Sequence, residues 1–250
     1  MLKAASPTSS FPETADIETS SDNYAQRFSG SIGRWFLEVQ ENATLNMLKP
    51  YTGATVLDIG GGHGQLTEAL INQGYQVTVL GSSEICQSRI RHLVEQGLCR
   101  FEVGNILDLP FENEAFDVVV SYRLLPHVAQ WRPFLAECAR AARQAVLLDY
   151  PEVRSINYIA PYLFQFKRKL EGNTRPYTCF KKSELLATFA AEGFRYQSHF
   201  TEFFVPMVLH RTLKSPTISS AVEQVFRLIG FTDLFGSPVI LNLIREKEVT

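Results

Sequence analysis

The sequence lacks any apolar run of the roughly 18 residues that a membrane-spanning helix needs, and it lacks an excess of either charge. Its 250 residues carry 24 Lys and Arg against 26 Asp and Glu, a formal net charge of -2. Proteins that bind nucleic acid usually present a basic face. The sequence therefore predicts neither a transmembrane segment nor a nucleic-acid partner, and a small molecule is the expected ligand.

Cysteine is scarce, and the start of the chain lacks the apolar stretch of a secretion signal. The four cysteines are Cys86, Cys99, Cys138 and Cys179, and they do not have metal-ligand spacing. They are expected to be reduced thiols of a cytoplasmic protein without a bound metal. Residues 1–21 are rich in Ser, Thr and Pro, which predicts a disordered tail.

Strand-like and helix-like segments alternate through the middle of the chain, and 45% of the residues are hydrophobic, as in ordinary globular proteins. The predicted strands cover residues 55–59, 75–80, 99–103, 116–121 and 144–149. Such alternation predicts parallel strands joined by right-handed crossovers. A ligand of this α/β architecture is expected outside the carboxyl ends of the strands.

The most informative motif follows the first predicted strand and reads Asp58, Gly60, Gly62 and Gly64, each separated by one residue. Glycines permit positive φ angles and a close approach of the backbone to a ligand. A dinucleotide fingerprint would need its third glycine at Gln65. Asp58 would repel a pyrophosphate and attract a cationic amino group. The motif therefore favours a cationic ligand without phosphate.

Four further segments in a fixed order extend this pattern, namely residues 101–111, 116–122, 124–128 and 134–140. Together with the glycine motif they resemble the class I S-adenosylmethionine-dependent methyltransferases, in particular small-molecule enzymes of the type 11 methyltransferase-domain kind. The resemblance implies an enzyme with S-adenosylmethionine as cofactor and S-adenosylhomocysteine as product. It also implies a Rossmann-like, doubly wound seven-stranded sheet, mostly parallel, with an antiparallel last strand and helical cap insertions.

The resemblance implies a set of cofactor contacts. Asp58 would anchor the cofactor ammonium, although its carboxylate could instead cap the following turn. Asn105 would accept a hydrogen bond from the adenine amino group, and Arg34 would meet the cofactor carboxylate. The residues expected to contact the cofactor are Asp58, Gly60, Gly61, Gly62, Gly64, Gly81, Ser82, Asn105, Ile106, Tyr122 and Arg34.

Gly81 departs from the family pattern, because the second strand should end with an Asp or Glu that holds the ribose hydroxyls. Ser82, Ser83 or Glu84 could substitute, but these residues also make an ordinary helix N-terminus. Gly81 therefore leaves an alternative function open, a catalytically degenerate relative that binds a nucleoside or aromatic ligand without turnover.

Three residues are candidates for the chemistry. His127, just after the fourth strand, is the first candidate for a proton acceptor, although it could equally be a packing residue. Tyr122 is expected to orient the substrate, and Tyr24 resembles an N-terminal tyrosine that closes over the site. The sequence contains neither the signature of nucleic-acid amino methyltransferases nor a catechol-type metal pattern, which argues against base methylation and against a bound metal.

The remaining length is predicted to build a substrate cap on a single domain of residues 22–250. Residues 22–50 would form a helical lid, residues 51–150 the cofactor-binding core, and residues 151–180 and 203–236 two cap insertions. Aromatic residues in the insertions favour methyl transfer to an O, N or C atom of an apolar or aromatic metabolite. They could also be helix core, a surface for lipid or a partner, or the contact of a homodimer.

Overall fold

The computed structural model describes residues 11–155 and 177–246. Its seven strands lie in one sheet in the order β3-β2-β1-β4-β5-β7-β6. β7 is antiparallel to both of its neighbours, and the other pairings are parallel. The strands are β1 (Thr55–Ile59), β2 (Gln76–Gly81), β3 (Arg100–Val103), β4 (Phe116–Ser121), β5 (Ala142–Tyr150), β6 (Phe194–Thr201) and β7 (Val239–Arg245). This confirms the predicted fold class.

Helices cover both faces of the sheet and its carboxyl edge. The described helices are α1 (Ala15–Thr19), α2 (Asp22–Ala25), α3 (Gly30–Leu48), α4 (Thr67–Asn72), α5 (Arg91–Glu95), α6 (Trp131–Ala141), α7 (Lys182–Ala191), α8 (Met207–Leu213), α9 (Pro216–Leu228) and α10 (Phe231–Phe235). None of them is long and apolar enough to cross a membrane.

The alternation of side chains along β1 explains why the sheet has two apolar layers. Leu57 and Ile59 are fully buried in a cluster that includes Phe134 of α6. Val56 points to the other face, where it joins Leu66 and its neighbours ahead of α4. A parallel strand covered on both faces reads as a nearly continuous apolar run. The only charged residue of β1 is Asp58, so its burial requires a reason.

The helical segment that follows β2 is interrupted. A 3₁₀ turn occupies Glu84–Gln87, and α5 begins only at Arg91. The turn brings the carbonyl of Cys86 so close to Gly62 that a side chain at Gly62 would collide with it. The local geometry of this segment is therefore set by the glycine turn that it packs against.

The beginning of the chain differs from the sequence prediction. Residues 1–21 are predicted to be a disordered tail, but α1 lies within them, with Asp16 and Thr19 buried. A helix of this length has little stability of its own. It is held because Asp16 accepts hydrogen bonds from the backbone and hydroxyl of Ser82. The composition of a segment indicates its own tendency to be disordered, but it does not show which distant residues the segment will contact. Residues 1–10 lie outside the described part of the chain.

The second predicted insertion is helical and contains α8, α9 and α10. It leaves the sheet after Thr201 and returns at Val239, and these two residues are paired across β6 and β7. Large apolar side chains of α9 and α10 face outward, including Leu228, which is 86% exposed. Residues 156–176 of the first predicted insertion lie outside the described part of the chain.

Candidate functional site

Polar side chains collect at the carboxyl edge of the sheet, as the parallel topology predicts. Asp58 lies near the end of β1, Ser82 follows β2, and Arg123 follows β4. Asp149 is the penultimate residue of β5. Glu202 directly follows β6, and β6 runs in the same direction as β5. All five come from different strands and meet at one edge.

The turn after β1 depends on its glycines. Gly60 and Gly64 have φ angles of 77° and 73°, which residues with a β-carbon rarely adopt. Gly61 lies directly over the carboxylate of Asp58, and Gly62 lies against the carbonyl of Cys86, so neither has room for a side chain. The resulting bare backbone is the surface that the sequence predicts to cradle the cofactor.

Asp58 has the property expected of a residue that awaits a cation. It is 1% exposed, and its Oδ2 atom has no hydrogen-bond partner. Burial raises the pKa of its carboxyl group to about 7, opposed by the guanidinium of Arg123. An unsatisfied buried carboxylate oxygen is costly unless a ligand completes it. The site fits an ammonium group, such as that of S-adenosylmethionine, better than it fits a turn cap.

Gln40 of α3 connects the carboxylates at the other strands. Its Nε2 donates to Asp149 Oδ2 at 3.3 Å and to Glu202 Oε1 at 2.9 Å. Its Oε1 accepts from Arg123 Nη2 at 3.2 Å and from Gln65 Nε2 at 2.9 Å. One amide thus fixes the N-terminal helix over the ends of β4, β5 and β6.

Arg123 is the cation at the centre of this edge. Its φ is 58°, in the left-handed region, and its backbone N–H donates to Asp149 Oδ1 at 2.6 Å. Its guanidinium lies 4.3 Å from the ring centroid of Phe28. Burial raises the pKa of Asp149 to about 6 and that of Glu202 to about 8, while Arg123 lowers both. Three buried carboxyl groups therefore share one guanidinium, and a cationic ligand would favour their ionised forms.

This arrangement predicts that the ligand-free protein loses stability as the pH rises from 6.5 to 8.5. The pKa values of Asp58, at about 7, and Glu202, at about 8, lie above those of unfolded chains. The folded state then holds more protons, and stability falls by up to about 1.4 kcal/mol per pH unit for each proton. His63, whose buried imidazole has a lowered pKa, destabilises the fold only on the acid side.

Thermal unfolding at constant ionic strength tests this pH dependence. The melting temperature of the ligand-free protein should fall steadily across the interval. A constant or rising melting temperature would contradict the conclusion that burial raises the pKa values of Asp58 and Glu202.

Two of the predicted catalytic residues, Tyr122 and Tyr24, lie in different places, the first in an apolar layer and the second at the carboxyl edge. Tyr122 is 1% exposed, and its hydroxyl is 2.9 Å from Thr44 Oγ1. It packs in the apolar layer beneath the site, so orienting the substrate, the role that the sequence predicts for it, does not fit its place. Tyr24 does come to the carboxyl edge near Arg123 and Asp149, and burial raises the pKa of its hydroxyl. Its ring packs against Phe28 at 5.9 Å.

Three other residues that are predicted to contact the cofactor are Arg34, Asn105 and Ile106. Arg34, predicted to meet the cofactor carboxylate, is exposed on α3, whereas the buried guanidinium at this edge is that of Arg123, close to Asp58, Asp149 and Glu202. Asn105 Oδ1 accepts from the backbone of Leu107 at 3.0 Å, so it caps its own turn. Ile106 is fully buried.

His127 and Gly81 remain close to the edge. His127 ends a 3₁₀ turn after β4, and its ring is 5.6 Å from that of Tyr177. Gly81 has no room for a side chain, because a β-carbon there would meet Cys86 and the ring of Phe101. The missing acid is thus a consequence of close packing at the end of β2. Ser82 is already bonded to Asp16.

The sequence interpretation missed four residues of this edge. Asp149 and Glu202 could have been found, because an acid at the end of a parallel strand is a signal for a site. Gln40 and Asp16 lie in N-terminal helices without a motif. In the described part of the chain, no group of three or more His, Cys, Asp or Glu side chains is placed to hold a metal ion.

Comparison with known proteins identifies the domain. Residues 57–148 match the family described as "Methyltransferase domain". This part of the chain therefore has the sequence pattern of a methyltransferase domain. The match spans β1 to β5, and therefore includes the glycine turn, Asp58 and Arg123. It confirms the resemblance and, with it, S-adenosylmethionine as the cofactor class that the sequence predicts.

Curated relatives share the methyltransferase domain. A ubiquinone biosynthesis O-methyltransferase of Paramagnetospirillum magneticum is 35% identical over 95 residues, 36% of each chain. An O-methyltransferase of Pyrenophora dematioidea is 28% identical over 177 residues, 61% of this chain and 64% of that protein. The aligned part thus spans from about a third to under two thirds of these relatives.

Solved structures show that the fold of the methyltransferase domain extends over most of the chain. A Synechocystis magnesium protoporphyrin IX methyltransferase with bound SAH aligns with a TM-score of 0.64 at 13% identity, covering 92% of this chain and 98% of that one. A Streptomyces coelicolor geranyl diphosphate C-methyltransferase aligns with a TM-score of 0.54 at 19% identity, covering 82% and 79%.

Proposed function

We propose that this chain transfers a methyl group from S-adenosylmethionine to an oxygen of a small apolar or aromatic molecule. The observation that carries the proposal is the glycine turn with the unsatisfied buried oxygen of Asp58, inside the matched methyltransferase domain. The names of the curated O-methyltransferases favour oxygen over the nitrogen and carbon acceptors that the sequence also allows.

The residues of the carboxyl edge would divide the work of binding. Asp58 would hold the ammonium group, and the backbone from Gly60 to Gly64 would lie against the methionine part of the cofactor. S-adenosylmethionine supplies, when bound, a sulfonium methyl group open to in-line displacement. The contribution of the chain is to position the acceptor and exclude water.

The acceptor would enter beside Tyr24 and His127. Phe28 and Tyr177 add aromatic surface next to these residues, which suits an apolar or aromatic ring. His127 is the proposed proton acceptor for the hydroxyl, since an imidazole takes up a proton near neutral pH. Tyr122 is assigned only a structural role here.

Calorimetric titration with S-adenosylmethionine and S-adenosylhomocysteine tests the first step. Wild type is expected to bind both with micromolar affinity, and Gly62→Val is expected to lose binding because its side chain would displace the Cys86 carbonyl. Ser88→Val, at an exposed site nearby, is the matched control and should bind normally. Absence of binding by folded wild type at millimolar ligand would contradict the proposal.

The alternative is a chain that binds the cofactor or a nucleoside without turnover. The packed, acid-free end of β2 at Gly81 is the observation that favours it. Transfer of labelled methyl groups to a panel of phenols and apolar alcohols separates the two functions. Labelled product supports the enzyme, and tight binding without any labelled product supports the alternative.

A further inference from the structure

The N-terminal segment of residues 13–20 lies at the end of β2, where the cofactor's ribose is expected. Asp16 is fully buried there. Its Oδ2 accepts from the backbone N–H of Ser82 at 2.5 Å, its Oδ1 accepts from the Ser82 hydroxyl at 2.6 Å, and Cys86 Sγ is 3.3 Å away. The polar groups that β2 offers at this edge are therefore already used by the chain itself.

The residue before Asp16 occupies the neighbouring apolar surface. Ala15 is 3% exposed and belongs to the same buried cluster as Leu80, Ile106 and Leu124. Ile106 is the residue that the sequence places beside the adenine ring. Ala15 is thus buried in the apolar layer to which the residue expected beside the adenine also belongs.

Both ends of the segment are fixed to the same edge. Glu13 accepts from the backbone of Gln130 at 2.9 Å. Ser20 lies over the glycine turn, where a β-carbon on Gly62 would come within 2.8 Å of its hydroxyl. The Asp16 Cβ lies 3.6 Å from the corresponding position of Gly60. The segment thus lies along the edge from the glycine turn to Ser82 and to the residue before α6.

We propose that residues 13–20 are an internal occupant of the nucleoside half of the cofactor site, with Asp16 as the residue that determines cofactor affinity. S-adenosylmethionine binds after the segment leaves, and the segment returns when the product is released. This inference rests on the proposed function, since it concerns access to the same site.

The glycine at position 81 is consistent with this exchange. A carboxylate at the end of β2 would lie beside that of Asp16 and repel it. The chain has instead one acid at this place, carried on a segment that can move. The unsatisfied Asp58 oxygen belongs to the neighbouring strand β1 and has no hydrogen bond to the segment.

The Asp16→Ala variant tests the proposal by the direction of its effect. Loss of the Ser82 contacts raises the fraction of molecules with an open site, so the dissociation constant for S-adenosylhomocysteine should fall about 10-fold. Asp22→Ala is the matched control, because Asp22 lies on the adjoining α2, is exposed and pairs only with Arg89 in the described structure. Its affinity should equal that of wild type.

A second measurement follows the segment itself. Hydrogen exchange should become faster at the amides of residues 17, 20 and 21, which are hydrogen-bonded in the closed form, when S-adenosylhomocysteine is added. A lid that closes on the ligand would instead show slower exchange. The two mechanisms therefore give opposite signs for the same amides.

A tether gives the complementary result. In Asp16→Cys the new thiol faces Cys86, and an oxidant that joins the two as a disulfide, verified by mass, should abolish binding. Dithiothreitol should restore it, and wild type treated with the same oxidant should keep its affinity.

The outcomes separate the two proposals. Unchanged or weaker binding by Asp16→Ala, with wild type still binding, would overturn the internal occupant and leave the proposed function standing. Failure of wild type and of the folded Asp16→Ala variant to bind at all would overturn both.

Discussion

Asp58→Asn is expected to bind S-adenosylhomocysteine about 10- to 100-fold more weakly than wild type, and yet to unfold at a higher temperature at pH 8. The weaker binding follows from the loss of one charge-assisted hydrogen bond, worth about 1.5–3 kcal/mol. The higher melting temperature follows from burial, which raises the pKa of the carboxyl group to about 7 and makes its ionisation at pH 8 unfavourable in the ligand-free fold.

Titration calorimetry and thermal unfolding at pH 6 and pH 8 measure both effects. Asp117→Asn is the control, because Asp117 accepts bonds from Thr55, Arg143 and Gln144, which hold its pKa low. That variant should lose stability and keep its affinity for the cofactor. If Asp58→Asn also lost stability at pH 8, Asp58 would be a structural cap and not a ligand-binding group.

Arg123→Met is expected to lower the free energy of unfolding by about 3–5 kcal/mol at pH 8, as removal of one partner from a buried charge network usually does. Arg123 is the guanidinium that lowers the pKa values of Asp58, Asp149 and Glu202. Without it, three carboxyl groups would ionise against burial and against each other. At pH 5.5 the same groups remain largely protonated, so the loss should be clearly smaller.

Urea denaturation at the two pH values gives the comparison. Arg143→Met, which removes a surface pair with Asp117, should cost less than about 1 kcal/mol at either pH. An equal loss for Arg123→Met at both pH values would assign the role of Arg123 to packing on Phe28 and its left-handed backbone, and not to charge.

The strands could be predicted from local sequence because burial sets their pattern. The observed bounds of β1 and β4 are the predicted ones, residues 55–59 and 116–121. The helix after β2 could not be predicted as observed, since its interruption at Glu84–Gln87 depends on contact with the glycine turn. Contacts with distant segments decide such details, and a local pattern does not contain them.

The candidate site likewise has a part that the local sequence predicts and a part that depends on contacts between distant residues. The glycine turn and Asp58 are visible in the sequence because their spacing is fixed by one turn. The bond between Asp16 and Ser82 joins residues 66 positions apart, and that between Gln40 and Asp149 joins residues 109 positions apart. Arg34 and Arg123 both carry a guanidinium group. Only the fold shows that Arg123 is the one near the buried carboxyl groups of the protein. Tyr122 follows a strand end as predicted, but its side chain belongs to the layer below.

The pairing of Thr201 with Val239 has a consequence for how such a chain can change. The polypeptide leaves the sheet and re-enters it at one rung of the β6–β7 ladder. The helices between these two residues can therefore lengthen, shorten or be exchanged without shifting the register of any strand. Such an exchange would leave the cofactor edge built by β1, β2 and β4 intact. This one segment can therefore diversify while the edge of the sheet stays constant.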